Sequence, residues 1–194
     1  MSALVIVDVG CGNIGSVAIA FERFGMTPRV TGDAGEIAAA DKVVLPGVGA
    51  AGYAMEQIHA RGLADTIRAL TQPVLGICLG MQLLFEASDE EDTACLGLIG
   101  GRVRRLSPAP GMPVPHMGWS RLDVADAGIG LATGDYVYFA HGFACDDGPA
   151  TRARAEYGRA IPAAVRHGNF TGAQFHPERS GAAGARFLET WLAS

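Results

Sequence analysis

Cys78 lies between two glycines in the segment Val74-Leu-Gly-Ile-Cys-Leu-Gly-Met-Gln-Leu-Leu-Phe85, where an apolar strand pattern changes to an apolar helix pattern. The spacing Gly-x-Cys-x-Gly matches the nucleophile elbow, a sharp turn from a strand into a helix. Unpaired N–H groups and the helix dipole at such a turn favour the thiolate, the nucleophilic form of cysteine. The pattern therefore predicts a nucleophile. The alternative is a small buried apolar residue, the usual role of a free cysteine.

A cysteine nucleophile needs a base, and Gln174-Phe-His-Pro-Glu178 follows the last predicted strand. Pro177 favours an extended conformation for His176, and residues two apart in an extended segment share a side. Glu178 can then hydrogen-bond His176, fix its tautomer and stabilise its imidazolium form. The predicted catalytic residues are therefore Cys78, His176 and Glu178. Taken alone, His-Pro-Glu also fits a histidine at a strand end beside a glutamate at a helix start.

Attack on a carbonyl carbon also needs donors for the developing oxyanion. The backbone N–H of Leu79, directly after the nucleophile, is one expected donor. Pro46-Gly-Val-Gly49 follows the preceding strand and should lie beside the elbow, so we expect Gly47 and Val48 to contribute another. The alternative for this segment is an ordinary turn from a strand to a helix.

The first half of the chain alternates between strand and helix patterns. We predict strands at residues 4–9, 27–31 and 42–45, a turn at 10–13, and helices at 14–24, 35–40 and 53–70, the last broken near Gly62. The elbow strand comes next, and helical spacing follows it over residues 81–86. This alternation predicts a parallel sheet with helices on both faces.

The second half has a different pattern. A polar loop at 88–92 is followed by short β segments, predicted at 99–106, 119–124, 136–141, 151–157, 163–166 and 171–175. One amphipathic helix, at residues 181–192, closes the chain. We therefore predict a single α/β domain over residues 1–194, with a mostly parallel central sheet and a C-terminal β-rich extension whose strands are mixed or antiparallel.

Composition excludes several classes of function. The 194 residues are 49% hydrophobic and 18% charged, with a net charge of −5, which gives no basic surface for nucleic acid or anionic lipid. The N-terminus has neither a signal-peptide nor a membrane-span pattern, so we expect a cytoplasmic protein. The cysteines and histidines lack metal-ligand spacing, so no metal or other cofactor is expected.

Three segments together resemble the class I (triad) glutamine amidotransferase family: Gly76-Ile-Cys-Leu-Gly-Met-Gln82, Pro46-Gly-Val-Gly49 and Gln174-Phe-His-Pro-Glu178. Further segments are similar to the branch of that family that serves histidine biosynthesis, namely Asp8-Val-Gly-Cys-Gly-Asn13, Pro115-His-Met-Gly-Trp119, Tyr138-Phe-Ala-His141 and His176-Pro-Glu-Arg-Ser-Gly181. These matches run from residue 8 to about residue 186.

The resemblance implies a three-layer, flavodoxin-like fold and L-glutamine as substrate. It assigns Cys78 as nucleophile, His176 as general base and acid, and Glu178 as the orienting carboxylate. It also implies that Gln82 and Glu90 hold the glutamine, since a carboxylate such as Glu90 can pair with the α-ammonium group.

The resemblance further implies a heterodimer in which the partner is a (β/α)8 cyclase. Asn13, Trp119 and Arg179 match family positions near that interface. Each also has an ordinary structural role, as a turn former, a core aromatic and a solvated residue at a helix start. Gly142-Phe143 and Ser120 depart from the family, which generally has a small hydroxyl residue with tyrosine, and asparagine, at these positions.

Three other interpretations remain open from the residues. The chain could serve another synthase, of the pyridoxal phosphate or anthranilate type. It could be a scaffold subunit without catalysis, although a scaffold has no need for Cys78, His176 and Glu178 together. It could be a cysteine peptidase, although so short a chain has no obvious peptide-binding insertion.

Overall fold

A computed structural model describes residues 3–10 and 13–194. Cys11 and part of the predicted turn at 10–13 therefore lie outside the described residues. In chain order the strands are β1 (Leu4–Val7), β2 (Arg29–Thr31), β3 (Lys42–Leu45), β4 (Val74–Ile77), β5 (Phe85–Ser88), β6 (Thr93–Ala94), β7 (Ile99–Arg105), β8 (His116–Val124), β9 (Tyr136–His141), β10 (Phe143–Cys145), β11 (Thr151–Glu156), β12 (Ala160–His167) and β13 (Phe170–Ala173).

The helices cover both faces of the main sheet. They are α1 (Ile14–Glu22), α2 (Ala34–Ala39), α3 (Ala51–Ala60), α4 (Leu63–Arg68), α5 (Leu79–Gln82) and α6 (Gly181–Leu192), with 3-10 turns at Glu90–Asp92, Ala127–Ile129 and Pro177–Arg179. No helix in the described part of the chain is both long and apolar enough to span a bilayer.

The main sheet has nine strands among the described residues, in the order β2-β1-β3-β4-β13-β12-β11-β8-β9. The pairs from β2 to β13 are parallel, and those from β13 to β9 are antiparallel. The prediction of a mostly parallel sheet is therefore wrong, since the sheet is mixed and divided evenly. Strands β8, β9, β11 and β12 continue the same sheet in antiparallel pairs.

Alternating side chains of the parallel strands pack into two cores, one on each face. Val5 and Val7 belong to the core covered by α2, α3 and α4. Leu4 and Ile6 belong to the other core, which α1 and α6 cover with side chains such as Phe21 and Phe187. The prediction of helices on both faces is confirmed, and these packed layers hold the central strands in place.

The segment after the elbow differs from its prediction. Helical spacing was expected over residues 81–86, but α5 ends at Gln82, and Phe85 begins β5 of a second, four-stranded sheet in the order β10-β7-β5-β6. The backbone N–H groups of Leu98 and Ile99 donate to the carbonyl of Leu84, which ties this segment to the start of β7. Because α5 is one turn long, its individual N–H groups matter more than a summed dipole.

The topology places three chain segments at one edge of the sheet. β4 lies between β3 and β13, and all three run parallel, with Gly76 paired to Leu45 and Ile77 paired to Ala173. Their carboxyl ends lead into the Pro46 loop, Cys78 and the segment before His176 respectively. Segments that are far apart in sequence therefore meet at this edge, where open α/β sheets usually bind ligands.

Candidate active site

Cys78 occupies a strained turn between β4 and α5. Its φ is 53° and its ψ is −109°, an unusual conformation for a residue with a side chain, and it is 7% exposed. Gly76 and Gly80 must be glycines because there is no room for a side chain at either position. A Cβ on Gly80 would lie 1.8 Å from the Leu45 carbonyl oxygen, and one on Gly76 would lie 2.6 Å from the Gly80 carbonyl oxygen. The local sequence therefore forces the elbow geometry.

His176 and Glu178 lie beside the elbow, just beyond the end of β13. His176 Nδ1 donates to Glu178 Oε1 at 2.9 Å, and both side chains are buried. The backbone of His176 is fixed at both ends, since its N–H donates to the Tyr138 carbonyl and its carbonyl accepts from Ser180 Oγ at 2.7 Å. With Nδ1 occupied by Glu178, Nε2 is the nitrogen left to exchange a proton with Cys78.

The electrostatics of His176 favour its charged form. Burial lowers the pKa of the imidazole, but interactions with Cys78 and Glu178 outweigh it and raise the pKa to about 10. The structure thus brings Cys78, His176 and Glu178 together, with an imidazolium between the Cys78 sulfur and a carboxylate. This arrangement can deliver a proton to a leaving group and later remove one from water.

The Pro46 loop packs directly against the elbow. A Cβ on Gly47 would lie 2.8 Å from Leu79 Cβ and 2.9 Å from the backbone nitrogen of Gly80, so only glycine fits there. Gly49 has a φ of 107°, and Val48 is 39% exposed. As the first residue of α5, Leu79 has an N–H group without an intrahelical acceptor. The expected oxyanion donors are therefore neighbours.

A cleft of about 180 Å³ opens at this edge, and Cys78 and Leu79 form part of its lining. Its other lining residues are Val48, Gly49, Gln82, Glu90, Ala140, His141, Gly142 and Phe143. The two predicted glutamine-binding residues, Gln82 and Glu90, therefore line the same cleft as the sulfur.

Both glutamine-binding candidates already make internal hydrogen bonds. Gln82 Nε2 donates to the Phe143 carbonyl at 2.8 Å and to Gln174 Oε1 at 3.0 Å, which leaves its own Oε1 for a ligand. Glu90 Oε2 accepts from the N–H of Ala51 at the start of α3 at 2.8 Å. Its second oxygen remains for an ammonium group, so both side chains are held in position before a ligand arrives.

Asn13, Trp119 and Arg179 lie away from the cleft. Asn13 is exposed and its side chain caps α1 by accepting from the N–H of Ser16 at 3.4 Å. Trp119 is 54% exposed, so it is not a core aromatic. The Arg179 guanidinium lies 4.6 Å from the centre of the Tyr138 ring, and Trp119 meets the same ring edge-on at 6.0 Å. Asn13 and Arg179 also line one surface cavity.

Two features of the site were missed by sequence reasoning. The first is Gln174, fully buried, whose Nε2 lies 3.8 Å from Cys78 Sγ. The spacing that relates His176 to Glu178 also relates Gln174 to His176, and that parity was a usable signal. The second is a buried pair, His116 and His141, with Nδ1 and Nε2 3.0 Å apart. No local pattern indicates a contact between strands 25 residues apart in the chain.

Comparison with known proteins agrees with this site. A family model described as "Glutamine amidotransferase class-I" matches residues 5–193. The crystal structure of a glutamine amidotransferase from Thermotoga maritima has the same fold, with a TM-score of 0.65, 17% identity, and coverage of 100% of this chain and 84% of that one. The chain belongs to the class I glutamine amidotransferase family.

Curated relatives indicate the branch of the family to which this chain is most similar. "Imidazole glycerol phosphate synthase subunit HisH" of Idiomarina loihiensis is 48% identical, over 97% of this chain and 96% of that protein. The protein of the same name from Yersinia pseudotuberculosis is 47% identical, over 97% and 98% respectively. Within the class I family, this chain therefore groups with the HisH subunits.

Proposed function

We propose that this chain is the glutaminase subunit of an imidazole glycerol phosphate synthase and acts in histidine biosynthesis. It hydrolyses L-glutamine to glutamate and ammonia as one glutamine amidotransferase domain, residues 1–194, without a cofactor. The observation that carries the proposal is His176, which is hydrogen-bonded to Glu178 at 2.9 Å and has its pKa raised by Cys78 and Glu178. The identity to HisH subunits supports the pathway.

The first half of the reaction forms a thioester. The Cys78 thiolate attacks the side-chain carbonyl carbon of glutamine, a C–S bond forms, and the carbonyl electron pair moves onto oxygen. The N–H of Leu79, together with a peptide N–H of the Gly47-Val48 region, stabilises this oxyanion. The His176 imidazolium then gives its proton to the amide nitrogen. The C–N bond breaks, and ammonia leaves a γ-glutamyl thioester.

The second half returns the enzyme to its starting state. Neutral His176 takes a proton from water as the water oxygen attacks the thioester carbon. The C–S bond breaks, which releases glutamate and restores the thiolate beside an imidazolium. Glu178 stabilises that charge in both halves, because its carboxylate accepts from Nδ1 throughout. Glu90 pairs with the substrate α-ammonium, and Gln82 Oε1 accepts a hydrogen bond from the substrate.

The ammonia requires a partner at close range. Ammonia in neutral water is mostly protonated and is then not a nucleophile, so direct transfer to a second site avoids its loss. We propose a heterodimer with a (β/α)8 cyclase subunit in the cytoplasm. That subunit uses the ammonia in a lyase step that yields imidazole glycerol phosphate and aminoimidazole carboxamide ribotide. Asn13, Trp119 and Arg179 contribute to the interface, which the exposed Trp119 and the stacked Arg179 support.

The test separates glutamine hydrolysis from synthesis. This chain is co-purified with the cyclase subunit of the same organism, and formation of imidazole glycerol phosphate is measured with glutamine and, separately, with ammonium salt. Cys78→Ser is expected to abolish the glutamine-dependent reaction and to leave the ammonium-dependent one, because only the thiolate step is lost. Cys95→Ser, at a buried thiol outside the cleft, is the matched control and should retain both. Glutamine-dependent synthesis by Cys78→Ser would refute the proposal.

The isolated chain should hydrolyse glutamine slowly. The Gly47-Val48 peptide has to turn before its N–H faces the oxyanion, and Gly49, with its positive φ, allows that turn. Adding the cyclase subunit is expected to accelerate hydrolysis. Equal rates with and without the cyclase would show that the oxyanion site is already complete in the chain alone.

A further inference from the structure

A line of hydrogen bonds, buried or partly buried, joins strand β8 to the cleft. Ser120 Oγ lies 2.9 Å from His116 Nε2, and His116 Nδ1 lies 3.0 Å from His141 Nε2. His141 Nδ1 in turn lies 2.7 Å from the Phe143 carbonyl oxygen. Three side chains of two neighbouring strands thus lead to one backbone carbonyl that borders the candidate active site.

A second line leads from the same carbonyl to the nucleophile. The Phe143 carbonyl oxygen also accepts from Gln82 Nε2 at 2.8 Å. Gln82 Nε2 gives its other hydrogen to Gln174 Oε1 at 3.0 Å. Gln174 Nε2 then lies 3.8 Å from Cys78 Sγ, within the range of a hydrogen bond to sulfur. The Phe143 carbonyl oxygen therefore accepts one hydrogen bond from each line, from His141 Nδ1 and from Gln82 Nε2.

The chemistry of a carbonyl fixes the direction of every bond. A carbonyl oxygen only accepts, so His141 must carry its proton on Nδ1, which makes Nε2 an acceptor in the neutral ring. His116 must then donate from Nδ1, and its Nε2 accepts from the Ser120 hydroxyl. Burial lowers the pKa of both imidazoles to about 4, which keeps the two rings neutral. Both histidines are therefore Nδ1–H tautomers.

The backbone of β8 is bent to allow the first of these bonds. Residues four apart in a regular strand are about 13 Å apart, too far for a serine and a histidine side chain to meet. Gly118, midway between Ser120 and His116, has a φ of 140°, which glycine adopts readily. The bend brings the serine hydroxyl to the imidazole.

The orientation of Gln174 matters because its carboxamide has two chemically different ends. An N–H that points at Cys78 Sγ stabilises the thiolate, whereas an oxygen at that position would repel it. Gln82 sets the orientation, because its amino group occupies Gln174 Oε1. Gln82 in turn is fixed by the Phe143 carbonyl, whose other hydrogen bond comes from His141.

We propose that Gln174 holds the Cys78 thiolate through its side-chain N–H, and that Ser120, His116 and His141 are positioning residues that fix its orientation through Phe143 and Gln82. The proposal rests on the proposed glutaminase function, since it concerns the same nucleophile. It adds one group that contacts the reacting sulfur and three that act through other residues.

The direct test compares two glutamines. Gln174→Met removes the donor to sulfur while keeping the volume, and Gln72→Met is the control. Gln72 also hydrogen-bonds to carbonyls, of Ile37 and Ala38, but it lies at the opposite end of β4 from Cys78. The rate of Cys78 alkylation by iodoacetamide at pH 7 is read from the Cys78 peptide by mass spectrometry. We expect Gln174→Met to react about tenfold more slowly, the size of one hydrogen bond to a charged group, and Gln72→Met to match the wild type.

The second test addresses the positioning residues. Ser120→Ala removes the donor to His116, whereas Ser120→Asn supplies an amide N–H in its place. In the complex with the cyclase, we expect Ser120→Ala to lower kcat for glutamine by about threefold with little change in KM, and Ser120→Asn to restore it, because the loss loosens the orientation of Gln174 without removing its N–H. Nitrogen-15 spectra of the histidine rings should show Nδ1–H tautomers for His116 and His141. The His116 signal should change in Ser120→Ala.

The outcomes separate the two proposals. A wild-type complex that hydrolyses no glutamine would refute the proposed function, while alkylation and histidine spectra would still report on the sulfur and its neighbours. A wild-type alkylation rate in Gln174→Met, a wild-type kcat in Ser120→Ala, or an Nε2–H tautomer at His141 would overturn the inference. If Gln174→Met does not fold, the Ser120 pair and the tautomers decide.

Discussion

Two histidines lie close to Cys78 and differ in charge. His176 is 8% exposed and His141 is 5% exposed, so both rings are desolvated to a similar extent. The pKa of His176 is nevertheless raised to about 10, by its interactions with Cys78 and Glu178, whereas burial lowers that of His141 to about 4. The difference lies in the partners, because His176 has a carboxylate and His141 has a carbonyl and another neutral imidazole.

The comparison shows how one site uses the same side chain for two tasks. A charged ring can pass a proton to a leaving group, so His176 suits acid and base catalysis. A neutral ring with a fixed tautomer cannot do so but gives a hydrogen-bond network one direction, and His141 suits that role. Changing the partners of each ring should therefore reduce the difference in pKa between His176 and the neutral histidines.

Removing the carboxylate should have the largest effect. In Glu178→Gln the imidazolium loses its negative partner, so the pKa of His176 falls and its orientation is less fixed. We expect kcat for glutamine in the cyclase complex to fall about 100-fold or more, as when the carboxylate of a triad is replaced by its amide. Glu189→Gln, at an exposed glutamate on α6, is the control and should stay within twofold. A Glu178→Gln enzyme within threefold of wild type would remove Glu178 from the mechanism.

The neutral histidine pair, His116 and His141, should make the stability of the folded protein sensitive to acid. The folded pKa of His116, about 4, is below its unfolded value of 6.5, so the unfolded state binds more protons between these values and the free energy of unfolding falls as the pH falls. The loss is on the order of 3 kcal/mol between pH 7 and 4. His116→Phe keeps a ring between Phe139 and Tyr157 but cannot titrate, so its deficit relative to wild type should shrink over that range. Urea unfolding at each pH measures this.

A matched variant controls for general acid effects. His59→Phe changes an exposed histidine on α3 and should keep a constant difference from wild type between pH 7 and 4. If the deficit of His116→Phe does not shrink either, then His116 titrates normally in the folded protein and the contrast with His176 is lost.

The sequence alone was sufficient to predict the residues around the charged histidine, His176. Glu178 is two residues from His176, and the extended backbone of His176 followed by the 3-10 turn Pro177–Arg179 brings their side chains together by local structure alone. Cys78 was found because an elbow needs glycines on either side of the nucleophile. Its proximity to His176 depends on β4 and β13 being parallel neighbours, a pairing that the strand pattern did not predict.

The sequence was insufficient where long-range pairing decides the structure. The apolar run Leu83-Leu84-Phe85 fits a helix or a buried strand equally well, and contacts with the start of β7 select the strand. The alternation in the first half predicted a mostly parallel sheet, and nothing local showed that the antiparallel strands of the second half would continue that same sheet. The hydrogen bonds of Gln174 to Gln82 and of His116 to His141 join residues on different strands, and spacing alone cannot find them.

A change at Gly118 should have a smaller effect than the Glu178 and His116 substitutions. Gly118→Ala forces a side chain into a φ of 140°, which costs about 1–3 kcal/mol unless the strand straightens. Straightening would separate Ser120 from His116. We therefore expect a loss of about 1–2 kcal/mol in urea unfolding, together with a changed His116 signal in nitrogen-15 spectra. An unchanged His116 signal would show that the bend is not what holds the serine to the ring.

Gly142 should be the most tolerant position near the neutral pair. It lies between His141 and Phe143, but its φ is outside the left-handed region and a Cβ there would meet only Val114 Cγ1, at an ordinary 3.8 Å. Gly142→Ala is expected to change the free energy of unfolding by less than about 1 kcal/mol, in the stabilising direction, because the unfolded chain loses freedom. The Nδ1–H tautomer of His141 should remain, since the Phe143 backbone carbonyl fixes it. A destabilised protein with an altered His141 tautomer would show instead that the pair depends on backbone freedom at this glycine.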